Sequence, residues 1–325
     1  MSVTIANLAP NNDQVDVLQS LSPEGTTVKW VDSTQSLEDQ AKELEGISAV
    51  VVTPSEYPVE LAALTKDVRL VQTVSAGTNM IDKLALGELG IRVANNGGGN
   101  AIAVSEHTIT LMTSVYRKMQ LQYSSVQSGD WAGSIRGDWM SQPHEIAGKT
   151  IGIIGLGRIG SRVARRLQGW ECKVVYYDVI EFSKEYEDEL EVERVSFDEL
   201  VAMSDVITLH TPLEPTTKHL MSTDQFKAMK ESAILINSCR GPVVDEDALV
   251  AALKAGVLYG AGLDVYEIEP IEMDNPLFDL ENVVMTPHLA TRAVESTEKT
   301  MEFAAANVSR VARGEEPESI VPPVT

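Results

Sequence analysis

The sequence predicts an α/β protein built from two doubly wound parallel sheets. Three observations carry that prediction. Short apolar runs stopped by Pro, Gly or Asn recur along the chain and alternate with segments of helical spacing, the pattern of buried parallel strands joined by crossover helices. At 325 residues the chain is longer than one hydrophobic core usually serves. And a strand–glycine-turn–helix pattern of the kind that opens a sheet, "IGIIGLGRIGSRVARRL" (151–167), stands in mid-chain, so one sheet precedes it and another grows from it.

In order, "VTIANL" (3–8), "TTVKWV" (26–31), "ISAVVVTP" (47–54), "VRLVQTVSAG" (68–77) and "IRVANN" (91–96) are the strands of a first, small α/β domain. Between them "SLEDQAKELEG" (36–46) has helical spacing and a glycine stop. "NNGGGNA" (95–101) is the clearest break, and its consecutive glycines suit a hinge. "AVSEHTITLMTSVYRKMQLQYSSVQSG" (103–129) reads as one long helix with Ser105 as its cap, followed by an irregular stretch, 130–149. After the glycine turn come strands at "CKVVYYD" (172–178), "DVITLH" (205–210), "AILINSC" (233–239), "YGAGLDV" (259–265) and "NVVMTPH" (282–288), which make the second, larger sheet. Acid-rich 181–200 reads as a solvated face. The segment from Thr291 to about Arg313 is a last helix, which "PESIVPPVT" cannot continue.

Composition excludes several functions. Twenty-six basic against 48 acidic residues give a formal charge of −22, the wrong sign for nucleic acid or an anionic membrane surface. No apolar run approaches the ~20 residues of a membrane helix. "MSVTIANLAP" lacks the layout of a secretory signal, and Cys172 and Cys239 form neither metal spacing nor a disulfide framework. A soluble, cytoplasmic protein without a metal is expected. The acid excess fits either an ordinary acidic protein or one adapted to high salt.

Gly155-x-Gly157-x-x-Gly160 follows an apolar strand and opens an amphipathic helix, the context in which this spacing signals dinucleotide binding. Gly155 permits the tight turn, Gly157 the approach of a pyrophosphate, and Gly160 the packing of helix on strand. The backbone N–H groups of Arg158 and Ile159 then face the phosphates at the helix N-terminus. Asp178 ends the next strand 18 residues after Gly160, where a carboxylate accepts the ribose hydroxyls of NAD and repels the extra phosphate of NADP. Lys184, six residues further on, is the first following base. NAD is the expected cofactor, with NADP as a second.

Three motifs then end successive strands: "INSCRGPVVDEDAL" (236–249), "GAGLDVYEIEP" (260–270) and "VVMTPHLA" (283–290). They bring Arg240, Glu269 and His288 from three loops to the carboxyl end of one sheet, where ligands of open α/β sheets bind. With "VSAGTNMID" (74–82), "VSEHTITLM" (104–112) and "SDVITLHTPLEPTTKHLM" (204–221), this set closely resembles the D-isomer-specific 2-hydroxyacid dehydrogenase family, over nearly the whole chain. The resemblance implies a Rossmann cofactor domain, 98–291, inserted into a flavodoxin-like substrate domain, 1–97 and 292–325, with the reaction in the cleft between them.

It implies hydride transfer between NAD(H) and a 2-keto/2-hydroxy acid of D configuration. Arg240 suits a substrate carboxylate and keto oxygen, being a permanent bidentate cation. His288 suits the proton, and Glu269 would hold its other ring nitrogen and stabilise the imidazolium. By resemblance Ser75, Ala76 and Gly77 bind the substrate carboxylate, and Asp264 meets the nicotinamide carboxamide. His210, Pro212, Thr217, Ser238, Cys239 and Ala290 join the cofactor-lining set, Cys239 without a nucleophile's role. His107, His144 and His219 show no partners of this kind and are expected to be structural or on the surface. No extra bases around "TNMID" suggest a phosphorylated substrate, which leaves a medium-sized aliphatic or aromatic keto acid. The resemblance also puts the apolar stripe of "AVSEHTITLMTSVYRKM" and the tryptophan-containing arm at a homodimer interface between cofactor domains. The alternative is a dinucleotide-sensing regulator, corepressor-like, on the same fold.

Overall fold

The structure, a computed structural model, describes residues 2–54, 56–130 and 142–322. The chain divides into two compact units, Met1–Asn100 with Arg292–Thr325, and Ala101–Thr291.

In the first unit, β1 (Val3–Ala9), α1 (Val15–Leu21), β2 (Thr26–Asp32), α2 (Leu37–Glu43), β3 (Ala49–Val52), α3 (Val59–Leu64), β4 (Leu70–Thr73), α4 (Lys83–Glu88) and β5 (Arg92–Ala94) alternate. The parallel sheet has the order β2-β1-β3-β4-β5, which is flavodoxin-like. β3 is Ala-Val-Val-Val with every residue buried, because helices cover both faces. On one face Leu44, Leu61 and Leu86 of or beside α2, α3 and α4 pack on Val50, Val52 and Val71. On the other, Leu18 of α1 packs with Met301, Ala304 and Val308. Those three come from the final helix of the chain.

In the second unit the elements are α5 (Ala101–Tyr116), α6 (Met119–Gln127), β6 (Thr150–Ile154), α7 (Gly160–Leu167), β7 (Lys173–Tyr177), α8 (Lys184–Leu190), β8 (Val192–Arg194), α9 (Phe197–Met203), β9 (Val206–Leu209), α10 (Thr223–Ala228), β10 (Ile234–Asn237), α11 (Glu246–Lys254), β11 (Gly260–Leu263) and β12 (Val283–Met285). α12 (Val294–Ala312) closes the chain in the first unit. The second sheet is parallel throughout, with the order β12-β11-β10-β9-β6-β7-β8. Counted from β6, the strands run 7-6-5-4-1-2-3, the Rossmann order with one further strand. The switch point lies between β6 and β9.

Several expectations are corrected. β8 was not foreseen: it lies inside the acid-rich 181–200, and two of its three residues, Glu193 and Arg194, are exposed, so no apolar run announces it. The long helix breaks at Lys118, which takes a left-handed φ of 51° between α5 and α6. Ser105 does not cap it, since the helix starts at Ala101 and the Ser105 hydroxyl turns back on Ile102 O at 2.7 Å.

The α5 stripe is also not surplus to the unit. Leu111, Met112, Val115 and Tyr116 are buried in the core with Ile151, Ile153 and Ile236, and the large apolar side chains left exposed are Ile102, Met119, Tyr123 and Val126. The tryptophan-containing arm lies outside the described residues. The glycines of "NNGGGN" have a packing reason beyond freedom of rotation. A Cβ on Gly97, at φ +64°, would lie 2.7 Å from the Phe303 ring, and one on Gly99 3.1 Å from the backbone N of Thr300. They let the segment lie directly on α12. Among the described residues no helix is long and apolar enough to cross a membrane.

Candidate active site

The glycine turn is fixed by what a side chain would strike. Gly155, at φ +92°, leaves β6 beside the end of β9, and a Cβ on it would sit 2.7 Å from the carbonyl oxygen of His210. A Cβ on Gly160 would lie 2.1 Å from Gly155 O, so α7 can start this close only with glycine there. A Cβ on Gly157 would meet nothing within 4 Å, and Gly157 and Arg158 are exposed. Backbone approach from outside is open at that residue. The helical ladder begins with Ser161 N donating to Gly157 O and Val163 N to Ile159 O, which leaves the N–H groups of Arg158 and Ile159 ahead of it.

Asp178 is built into the turn. Its Oδ2 accepts from Leu156 N at 2.7 Å and its Oδ1 from Ile180 N at 2.9 Å. The carboxylate is thereby held over the end of β6, and each oxygen keeps a lone pair for a further donor. Across the switch point His210 is half-buried. Its Nε2 lies 2.9 Å from Thr208 Oγ1, while its sealed Nδ1 has no partner among the described residues. Burial pushes this imidazole down to about 3, so it is neutral in the folded protein at ordinary pH. In the loop after β9, Thr217 Oγ1 donates to Pro212 O and accepts from Glu214 N. A dinucleotide fits these residues. The turn offers N–H groups at a helix start, an open backbone at Gly157, a fixed carboxylate at the second strand and an unsatisfied nitrogen at the switch point.

Arg240 leaves β10 in extended conformation (φ −147°, ψ 138°) ahead of a 3₁₀ turn, Gly241–Val243. Its Nη1 donates to Cys239 O, and Asn237 Nδ2 bonds Arg240 O at 3.0 Å, so the side chain and the backbone are both tethered. Cys239 is buried with Sγ 3.1 Å from Asn237 Oδ1, and burial raises its thiol. It is a packing group. The Ser238 hydroxyl meets Thr108 Oγ1 of α5 at 2.8 Å.

Glu269 and His288 come together. His288 Nδ1 lies 2.6 Å from Glu269 Oε2, with the two side chains 41% and 33% exposed, so one face of the pair is open. Glu269 Oε1 accepts from Tyr266 N at 2.9 Å. His288 has a left-handed φ of 53°, held by bonds on either side of it. Its own N donates to Thr286 O, and fully buried Asp264 accepts from Leu289 N on Oδ1 and Ala290 N on Oδ2, each at 2.9 Å. Thr286 Oγ1 adds a 2.6 Å bond to Asp264 Oδ1. Both oxygens of Asp264 are thus engaged within the chain.

The three histidines expected to be structural or on the surface each have a neighbour in the fold. His107 Nε2 lies 2.9 Å from Thr286 Oγ1 and 3.5 Å from Asp264 Oδ1, joining α5 to the His288 loop. His219 Nε2 lies 2.9 Å from Glu267 Oε1. His144 packs edge-on against Tyr116 and Tyr259. Sequence reasoning missed Thr286, Glu267 and Glu246 as well, since no local pattern marks them. In the first unit the Ser75–Gly77 loop follows β4 and is held by its carbonyls. Ser75 O accepts from Thr73 Oγ1 and Asn96 N, Ala76 O from Asn95 Nδ2, and Gly77 O from Ser75 Oγ at 2.6 Å.

Comparison with known proteins identifies a family. Residues 109–290 match the family model described as "D-isomer specific 2-hydroxyacid dehydrogenase, NAD binding domain". A D-3-phosphoglycerate dehydrogenase of Archaeoglobus fulgidus is 39% identical over 285 residues, 87% of this chain and 53% of that protein, so this chain spans about half its length. A glyoxylate reductase of Thermofilum pendens is 34% identical over 295 residues, 90% of this chain and 85% of its own. Among solved structures, the NAD-complexed D-isomer specific 2-hydroxyacid dehydrogenase of Lactobacillus delbrueckii ssp. bulgaricus has a TM-score of 0.82 at 27% identity, covering 98% of this chain and 99% of that one. The cofactor of the matched domain is NAD(H), and the chain belongs to the D-isomer-specific 2-hydroxyacid dehydrogenase family.

Proposed function

We propose that the protein interconverts a 2-keto acid and the D-2-hydroxy acid, with His288 as the group that gives and takes the proton. The observation that carries this reading is the 2.6 Å contact between His288 Nδ1 and Glu269 Oε2. With Nδ1 committed to a carboxylate, Nε2 is the ring nitrogen left for substrate. Arg240 anchors the substrate carboxylate and polarises its keto oxygen. By the family resemblance, the backbone of Ala76 and Gly77, with Ser75, also binds the substrate carboxylate.

Bound NAD(H) supplies or accepts the hydride. The N–H groups of Arg158 and Ile159, with the open backbone of Gly157, would hold its pyrophosphate, and Asp178 would take its ribose hydroxyls. His210, Pro212, Thr217, Ser238, Cys239, Asp264 and Ala290 line the rest, Asp264 chiefly by fixing the His288 loop. NADP serves as a second cofactor where salt screens the repulsion from Asp178. The substrate is a non-phosphorylated, medium-sized keto acid. The protein works in the cytoplasm as a homodimer through the cofactor units, and its charge of −22 is an adaptation to high salt.

A spectrophotometric screen tests this. NADH oxidation is followed with glyoxylate, pyruvate, hydroxypyruvate, 3-phosphohydroxypyruvate and phenylpyruvate, in dilute buffer and in molar KCl, with sedimentation at each salt. Turnover of a non-phosphorylated acid by a dimer, rising with salt, is expected. Tight NADH binding with no turnover of any acid would replace the enzyme by a dinucleotide sensor.

A further inference from the structure

The turn that carries Glu269 is bracketed by side chains outside the acid–base pair. Glu246, the first residue of α11, and Glu267 exchange bonds: Glu267 N donates to Glu246 Oε2 at 3.0 Å, and Glu246 N donates to Glu267 Oε2 at 3.3 Å. The remaining oxygens are taken too. Glu246 Oε1 accepts from Asn275 Nδ2 at 2.7 Å, and Glu267 Oε1 faces His219 Nε2 at 2.9 Å.

The bracket reaches the Arg240 loop as well. His219 N donates to Pro242 O at 2.8 Å, and a Cβ on Gly241 would lie 1.7 Å from Tyr266 O. The backbone after Arg240 and the backbone before Glu269 therefore lie in direct contact, with His219, Glu246 and Glu267 closing the loop around them. His219 holds its place with a left-handed φ of 52°, a conformation uncommon for a side chain other than Gly, Asn, Asp or His.

We infer that His219, Glu267 and Glu246 are positioning residues that set Glu269 against His288 and fix its spacing from Arg240. None of the three is proposed to touch substrate. The inference rests on the acid–base reading of Glu269 and His288. A carboxylate two residues from Glu267, whose Tyr266 N–H bond depends on the same turn, keeps a 2.6 Å contact only if that turn is rigid. The charged and titratable groups facing the bracket are Asp245, Tyr266, Asp264 and Glu269. Asp245 is held below the ordinary carboxylate range by bonds from Ser222 and Ala248, and burial raises Tyr266. Neither changes charge near neutrality.

The test compares wild type with H219N, E267Q, E269Q and the doubles H219N/E269Q and E267Q/E269Q. Asn tolerates the left-handed backbone at 219 but is too short to reach Glu267. Gln at 267 keeps the shape but turns a donor toward one of its two donors. The readouts are the pH profile of reduction with the keto acid turned over best in the screen above, and the NADH dissociation constant by fluorescence. H219N and E267Q should each move the alkaline limb of reduction to lower pH, as E269Q does but by less. Each should cut kcat by about 2–150-fold, the range of coupling between groups in contact, with NADH affinity within about twofold of wild type. In the E269Q background neither should shift the limb further. The inference fails if both single variants leave the limb unmoved, or if their shifts add in full to that of E269Q. If E269Q itself leaves the limb in place, the acid–base reading fails and the inference with it.

Discussion

The glycine turn, 155–160, and the segment from Asp264 to Ala290 are held in shape by opposite means. The turn works through backbone. Three glycines and a helix start do the shaping, and one side chain, Asp178, is locked to Leu156 N and Ile180 N. The 264–290 segment works through side chains, each placed by another: His288 by Glu269, the His288 loop by Asp264, Asp264 by Thr286 and His107. Where geometry forbids a Cβ, the residue type is written into a short local string. Where it depends on pairs of side chains, the partners are scattered along the chain.

That difference yields tests on both sides, and the largest effect falls on the side-chain region. His288→Gln should lower the rate of keto-acid reduction at every pH by the ~10²–10⁴-fold that lost acid–base catalysis costs. Steady-state kinetics over the full pH range checks it, and a loss confined to KM would move the proton's role elsewhere. On the backbone side, Gly160→Ala forces a Cβ to within 2.1 Å of Gly155 O, so α7 must shift away from the turn. A stability loss of about 1–3 kcal/mol, as for other overpacked sites, should come with weakened NADH binding, and calorimetry with fluorescence titration reads both. Gly157→Ala, which meets nothing in the chain, should by contrast fold normally and lose NADH affinity only.

Asp178 stands between the two regimes, a side chain serving the turn. Asp178→Ala should narrow the preference for NADH over NADPH by about 1–3 kcal/mol, compared as kcat/KM for each cofactor. An unchanged ratio would assign the preference to other contacts.

One effect is confined to acid pH and concerns His210, whose Nδ1 is buried without a partner among the described residues. The unfolded chain takes up a proton at this imidazole near pH 6.5, whereas the folded chain refuses it until about pH 3. Its contribution to stability is therefore whole above pH 6.5 and drains away as pH falls towards 3, by at most ~1.4 kcal/mol per pH unit. Denaturant unfolding of the cofactor-free protein should show a shallower acid slope in His210→Asn than in wild type. Equal slopes would mean that the ring is protonated in the folded state.

The same division explains what could be read in advance. Buried parallel strands such as "AVVV" were legible because burial on both faces favours an unbroken apolar run. Gly155 and Gly160 were legible because backbone contacts admit nothing else. β8 was not, since an edge strand with Glu193 and Arg194 in water carries no apolar signal. Nor was the break at Lys118, a residue that left-handed backbone does not favour. The partners of His107 and His219 lay beyond local reading, being 179 and 48 residues away in sequence. Gly241 shows the limit well. It reads as an ordinary glycine beside Pro242, and only the approach of Tyr266 O reveals why a side chain is excluded.

The claim on which the mechanism turns is that the Glu269 carboxylate on Nδ1 serves the proton transfer at His288. The direct measurement is the pH profile of keto-acid reduction in wild type and Glu269→Gln. Glutamine still reaches Nδ1 but carries no charge, so the alkaline limb should move down while kcat at low pH stays comparatively intact. An alkaline limb that stays where it is in wild type, or moves to higher pH, would contradict it.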